Sequence, residues 1–423
     1  MRKFVTVAVL FFVAILALEA DIPAPPTTAR VSNANNASQS EIFKVGKSGI
    51  VSWVHIGDLH ITAETEQNYK DLQSIVAQIN RYLAVNVNFV FLPGDNADDG
   101  SEAEYQLIGT ALKPLKVPLL VVPGDHDAKT GSLDFYAKWL MPVLYQNFEL
   151  GGYRLIFLDA LDVKDGQELR FGLGSEQSKW LEVASPAGLS IIFTHAFPDQ
   201  MEEGSSGLMN ILKSDRPLLV ETGHTHFNAV SNDGYTIYAA TRSTGQVKEG
   251  PVGFSITNLD HGVVSWKFKP LGNWPFVMIT TPSDRRMITE PINEQKILRG
   301  RVILHAKVWD DQSVESVTYA IDGGKESSLE SMHEGNVWTG SIDSTALACG
   351  DHRITVTARN TKGESAQDTI VVTVNQTGNF IPVERAMGAE GNSIGIDLER
   401  GLLGTTHQPG PPHGHGPPHP HGH

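Results

Sequence analysis

Five times between residues 50 and 226 an apolar run ends in a short cluster of glycine, aspartate and histidine. Residues 50–56 lead into Gly57-Asp58-Leu59-His60, residues 88–92 into Gly94-Asp95-Asn96-Ala97-Asp98, and residues 118–122 into Gly124-Asp125-His126-Asp127. Residues 189–193 lead into Thr194-His195, and residues 217–220 into Gly223-His224-Thr225-His226. These runs and a sixth, 153–158, are short and rich in Val, Ile, Leu and Phe, which predicts strands buried on both faces. Between the first two runs, 64–83 places Leu72, Ile75, Val76, Ile79 and Leu83 at helical spacing, so a helix packs there on a sheet. Strands alternating with helices predict an α/β domain.

Side chains two residues apart leaving a strand point the same way, so Asp58 converges with His60 and His224 with His226. Carboxylate and imidazole are ligands for zinc, iron or manganese. Open α/β sheets build their sites at the carboxyl ends of strands, where all five clusters are placed, and the neighbouring glycines let the backbone turn sharply. Singly, each cluster is weak: Gly-Asp is commonly a turn, and His195 alone reads as a core histidine. The ordered series gives the signal. Asp58, His60, Asp95, Asp125, His195, His224 and His226 are too many ligands for one ion and suit two ions sharing a carboxylate.

In order, DLH, GDN, GDHD, TH and GHTH resemble the calcineurin-like metallophosphoesterase superfamily, whose pattern is DxH, GD, GNH(D/E), H and GHxH. The resemblance covers about 58–226. It implies a four-layer α-β-β-α sandwich of two mixed sheets with helices on both outer faces. It assigns Asp58, His60 and His226 to one metal and His195, His224 and Asp125 to the other, with Asp95 bridging. His126 becomes the acid or phosphate contact, oriented by Asp127. The implied activity is hydrolysis of phosphodiesters or phosphomonoesters, with a metal-bridging hydroxide as nucleophile and two Mn, Fe or Zn ions as cofactors. Asp125 departs from the family, which usually has Asn there. Purple acid phosphatases need a Tyr three residues after the bridging Asp; Asp98 stands there, so the purple enzyme is not expected.

Arg242, in Ala-Ala-Thr-Arg-Ser shortly after the last cluster, is either a solvated loop arginine or a contact for substrate phosphate, and is carried as a candidate for the second role. Asp159 reads as a capping or supporting group. His55, His261, His305, His333 and His352 belong to no series and read as structural or surface histidines.

The rest of the chain sets the context. Arg2 and Lys3 precede an apolar run over 4–18 that ends at Glu19-Ala20, the pattern of a secretory signal peptide cleaved after Ala20. A secreted or periplasmic location follows, without stable membrane insertion of the mature chain. Residues 21–48 read as a flexible leader, 49–272 as the metallophosphoesterase domain, and 277–376 as a small all-β domain of short alternating strands resembling immunoglobulin-like or fibronectin-type modules. Residues 377–423 read as a flexible tail with a His/Pro/Gly-rich end, read either as a zinc-gathering arm or as low-complexity sequence. The single cysteine, Cys349, excludes an intrachain disulfide scaffold. With 33 basic and 48 acidic residues the net charge is −15, which counts against duplex nucleic acid as partner; a small phosphate ester is the expected substrate. The rival readings are an exported binding or adhesion protein with a degenerate site, and a nuclease of the same fold. No partner is read for the all-β domain.

Overall fold

A computed structural model describes residues 43, 45–162, 169–184, 189–201, 206–248, 250–379, 393–397 and 401–402. The segments read as a signal peptide and as the histidine-rich end, with most of the span read as a leader, lie outside the described residues.

The first domain is built on strands β1 (Val51–His55), β2 (Phe89–Leu92), β3 (Leu119–Val121), β4 (Gln146–Leu150), β5 (Tyr153–Phe157), β6 (Leu161–Asp162), β7 (Arg170–Phe171), β8 (Ser190–Phe193), β9 (Leu219–Thr222), β10 (Ala229–Asn232), β11 (Ile237–Ala240), β12 (Gly253–Asp260) and β13 (Val263–Pro270). One sheet has the order β13-β12-β1-β2-β3 and the other contains β10-β11-β9-β8-β5-β4. Strands β1, β2 and β3 run parallel, as do β5, β8, β9 and β11, while β12, β4 and β10 join antiparallel, so both sheets are mixed.

Side-chain alternation explains the layers. On β1 and β2, Val51, Trp53, Phe89 and Phe91 face Phe157, Phe193 and Leu219 across the inter-sheet core. Val54, Val90 and Leu92 face outward against helices α1 (Gln67–Gln78) and α2 (Glu102–Leu112). Past α3 (Asp134–Trp139), the second sheet buries its outer face, Ile156, Ile192 and Val220, under α4 (Ser175–Ala184) and α5 (Ser206–Ser214). Burial of both faces is why these strands read as unbroken apolar runs. The helix expected over 64–83 is α1, continued by one wide turn over Ile79–Leu83.

Glu221 of β9 ties the two sheets together from within. Its carboxylate accepts from Trp53 Nε1 (3.2 Å) and Thr257 Oγ1 (2.7 Å) and pairs with His55 Nδ1 (2.7 Å). A buried carboxylate stripped of such partners costs about 3–5 kcal/mol. His55 is therefore structural, as its isolation in the sequence suggests.

Beyond residue 272 the strands are β14 (Phe276–Thr281), β15 (Ile297–Leu298), β16 (Arg301–Trp309), β17 (Val314–Ile321), β18 (Ser327–Ser328), β19 (Glu330–Ser331), β20 (Val337–Asp343), β21 (Gly350–Asn360) and β22 (Ser365–Val374). They form two sheets, β14-β16-β20-β19 and β15-β22-β21-β17-β18, around one core that includes Leu304, Ala306, Ile354, Val356 and Val372. Strand β14 serves two cores: Val277 and Ile279 face this sandwich, whereas Phe276 and Met278 pack with Ile256 and Trp309 on the first domain. Inside the span read as a flexible tail, Ser393–Asp397 adds an antiparallel strand to the β10 edge. The alternation Ser-Ile-Gly-Ile-Asp is the local signal for it.

Lys307 of β16 is buried at this junction and donates from Nζ to Ser52 Oγ (2.8 Å) and the Asn86 carbonyl (2.7 Å). Burial pulls its pKa from 10.5 down to about 7, Asp260 opposing the shift. Unfolded chains thus bind more protons than folded ones between those values, and stability rises with pH across that window. The contribution is complete above the unfolded value and is lost as pH falls through about 7. Urea unfolding at pH 7 and 9.5 should show this rise, and Lys307→Met should reduce it. An unchanged slope in the variant would mean the amine stays hydrated.

Candidate metal centre

Every cluster leaves the carboxyl end of a parallel strand: β1, β2 and β3 on one sheet, β8 and β9 on the other. The two sheets therefore deliver the seven expected ligands to one crevice. Ligating atoms of Asp58, His60, Asp95 and His226 lie within 4.8 Å of one another, and so do those of Asp95, Asp125, His195 and His224. Asp95 belongs to both groups. Its Oδ2 faces His60 Nε2 (3.6 Å) and its Oδ1 faces His195 Nε2 (3.5 Å). In the first group His226 Nε2 is 3.3 Å from Asp58 Oδ2; in the second, Asp125 Oδ1 lies between His195 Nε2 (3.1 Å) and His224 Nδ1 (3.2 Å).

The backbone is bent to achieve this. His60, Asp95, His224 and His226 all have φ between 43° and 65°, a left-handed region that non-glycine residues occupy at a cost of order 1–3 kcal/mol each and that clusters at functional sites. Gly124 and Gly223 sit where an added Cβ would overlap the carboxylates of Asp95 and Asp58 respectively. Glycine is required there by close approach.

The donor set fits two divalent cations. His195 Nδ1 lies 2.9 Å from the Pro93 carbonyl, which only an N–H can satisfy, so its Nε2 is the atom left to ligate. His60 Nδ1 is 3.1 Å from Asp98 Oδ1, which directs its Nε2 inward in the same way. There it meets His226 Nε2 at 3.0 Å, two ring nitrogens converging on one point. Asp58 Oδ1 is buried and accepts no hydrogen bond. Burial, with Asp125 and Asp58 beside it, pushes Asp95 well above the usual carboxylate range in spite of His195. The carboxylates around His195 outweigh its burial and push it up to about 10. A cation entering this anionic field takes the place of that proton, because an imidazole ligates only when deprotonated.

Two sequence assignments need correction. Asp127 does not orient His126. Its carboxylate accepts from the backbone N–H groups of Asn96 (3.1 Å), Ala97 (3.0 Å) and Gly124 (2.9 Å) and from the Tyr105 hydroxyl (2.7 Å), clamping the loops after β2 and β3 together. The tight turn His126–Ala128 sends adjacent side chains in different directions, so adjacency in sequence misleads here. The partner of His126 is Asp98: His126 Nδ1 lies 2.7 Å from the Asp98 carbonyl and 3.4 Å from its carboxylate. Burial alone would lower the His126 pKa; the Asp98 contact and nearby carboxylates instead push it up to about 9. Its bonds to His126 and His60 hold Asp98 well below the usual carboxylate range. Arg242 is neither a solvated arginine nor presented to a phosphate. It is 2% exposed, its guanidinium lies 4.3 Å over the Phe268 ring, and it faces the Pro251 carbonyl.

Sequence reasoning also passed over Gln246, whose amide reaches His60 Nδ1 (3.2 Å), and Phe171, whose ring packs edge-on against His224 with centroids 4.8 Å apart. Neither carries a signal in the sequence. Asp159 caps its own turn by accepting from Leu161 N–H (3.0 Å), in line with the capping role.

Comparison with known proteins agrees with this geometry: the profile of the calcineurin-like phosphoesterase family matches residues 52–228. Those residues form a calcineurin-like phosphoesterase domain. The chain is 29% identical over 160 residues to a "probable cyclic nucleotide phosphodiesterase" of Fibrobacter succinogenes, covering 37% of this chain and 58% of that protein. It is 27% identical over 199 residues to a "probable glycerophosphodiester phosphodiesterase" of Arcobacter nitrofigilis, covering 41% of this chain and 71% of that one. Among solved structures, a dimetal phosphatase from Danio rerio aligns with TM-score 0.45 at 15% identity, covering 52% of this chain and 96% of that one. The chain thus spans little more than half of the Fibrobacter relative's length.

Proposed function

We propose that the protein is an exported metal-dependent phosphodiesterase whose phosphoesterase domain holds two transition-metal ions, with the sandwich as an immunoglobulin-like accessory domain. The observation that carries the reading is the pair of ligand groups joined by Asp95. The phosphodiesterase names of the relatives support the ester class. Among the described residues no helix is long and apolar enough to cross a membrane.

Asp58, His60 and His226 would hold one ion, and Asp125, His195 and His224 the other, with Asp95 between them. Bound there, two such ions supply Lewis-acid stabilisation of phosphoryl oxygens and lower the pKa of water. The chain's own contributions are orientation and a proton. His60 and His195 are fixed by Asp98 and Pro93, so their ligating nitrogens hold a single direction. His126, a fifth exposed and charged at neutral pH, is placed to protonate the leaving oxygen, with Nδ1 secured on Asp98. The test is a panel of phosphodiesters and phosphomonoesters given to the metal-loaded protein, with its amino terminus sequenced after export. Diester hydrolysis and a chain starting at Asp21 are expected; a fully loaded protein that cleaves neither ester class would overturn the reading.

Asp125 sets the choice among esters. A carboxylate at that position ligates strongly but adds negative charge beside the substrate. Two unit charges about 4 Å apart interact by roughly 4 kcal/mol at an effective dielectric near 20, before compensation by the ions. A monoester dianion suffers more than a diester monoanion. Asp125→Asn is expected to keep both ions, bind inorganic phosphate more tightly and gain monoesterase activity preferentially. Weaker phosphate binding at full metal occupancy would contradict the charge argument.

A further inference from the structure

Away from the crevice, a second histidine–carboxylate group stands at the junction of the two domains. Asp260 ends β12, and its side chain is 1% exposed. His261 and Gly262, with φ of 53° and 75°, form the two-residue turn into β13 and bring the His261 ring back onto its neighbour. His261 Nδ1 lies 2.6 Å from Asp260 Oδ1, and His305 Nδ1, from β16 of the sandwich, lies 3.0 Å from Asp260 Oδ2. One ligand atom from each residue falls within a 4.8 Å cluster. Strand β12 pairs antiparallel with β1, Leu259 opposite Val51, so this group sits at the amino-terminal end of β1. That is the end opposite the phosphoesterase centre, with roughly 16 Å of strand between them at about 3.3 Å per residue.

We propose that Asp260, His261 and His305 form a separate binding site for one divalent cation of the zinc class, which clips the β12–β13 turn of the phosphoesterase domain to β16 of the sandwich. Two imidazole nitrogens and a carboxylate oxygen are the ligands that zinc and its neighbours prefer. Asp260 and His305 are buried and held in strands, so two of the three ligands are fixed before the ion arrives. The Thr280 hydroxyl donates to Asp260 Oδ2 at 2.6 Å and sets the direction of the carboxylate, the outer support that metal sites use. His261 is 43% exposed and leaves the remaining position open to water. Nothing in the phosphodiesterase reading uses these residues, so the two claims stand apart.

The test compares the full-length protein with His261→Gly, a substitution that suits the left-handed turn position. Both proteins are dialysed against the same buffered zinc, and their metal content is measured. The His261→Gly protein should hold one ion fewer, with phosphodiester hydrolysis unchanged. The six histidines of 407–423 are common to both proteins and cancel in the difference. Thermal unfolding should shift upward with zinc in the native chain by more than in the variant. Equal metal content in the two folded proteins would overturn the proposal and leave Asp260 as a hydrogen-bonded clamp alone. Loss of ions on substituting Asp95 reports on the other centre, so failure of one claim is distinct from failure of the other.

Discussion

Asp95→Asn protein is expected to hold at most one ion in the crevice and to hydrolyse phosphodiesters at least about 10³-fold more slowly, since ions there stabilise transition-state charge by several kcal/mol at 1.36 kcal/mol per decade. The two oxygens of Asp95 face different ligand groups, Oδ2 toward His60 and Oδ1 toward His195. An amide keeps one oxygen and turns a nitrogen, which cannot ligate, toward the other ion. Asn also tolerates the φ of 49° at this position, so the fold should survive. Metal analysis together with kcat on a diester checks both halves. A variant that retains two ions and full activity would rule out Asp95 as the shared ligand.

His126→Ala should cost about 10²–10⁴ in rate on esters with poor leaving groups, the usual range for general acid catalysis, and much less when the leaving group is nitrophenolate. The ring is a fifth exposed and secured by the Asp98 carbonyl and carboxylate, and these anions keep it protonated in spite of its burial. Nitrophenolate leaves without needing that proton. A loss equal on both ester types would instead make His126 a phosphate-positioning residue.

Much of this centre was legible in sequence because its signal is local. Each ligand cluster follows directly on an apolar strand, four of the five opening with a glycine, and strands buried on both faces announce themselves as unbroken Val, Ile, Leu and Phe. What was not legible depends on contacts distant in sequence. Asp98 reaches His126 from 28 residues away, while Asp127, next to His126, is turned inward to hold backbone amides. Arg242 looked like a phosphate contact because it follows the last cluster, yet Phe268 of β13 draws its guanidinium into the interior. Strand β13 itself was overlooked although Val264, Trp266 and Phe268 alternate along it. Its partner β12 is buried along its whole length but polar at Ser255, Thr257, Asn258 and Asp260, which masks an interior strand. His261 and His305 appeared unconnected for a similar reason: Asp260 joins a turn to a strand 45 residues away.

Whether two ions share Asp95 can be seen by anomalous diffraction at the absorption edge of the bound metal. Two peaks are expected in the crevice about 3.5–4 Å apart, one beside Asp58, His60 and His226, the other beside Asp125, His195 and His224, with Asp95 between them. A single peak, or two peaks that do not share Asp95, from crystals of fully loaded protein would contradict this arrangement.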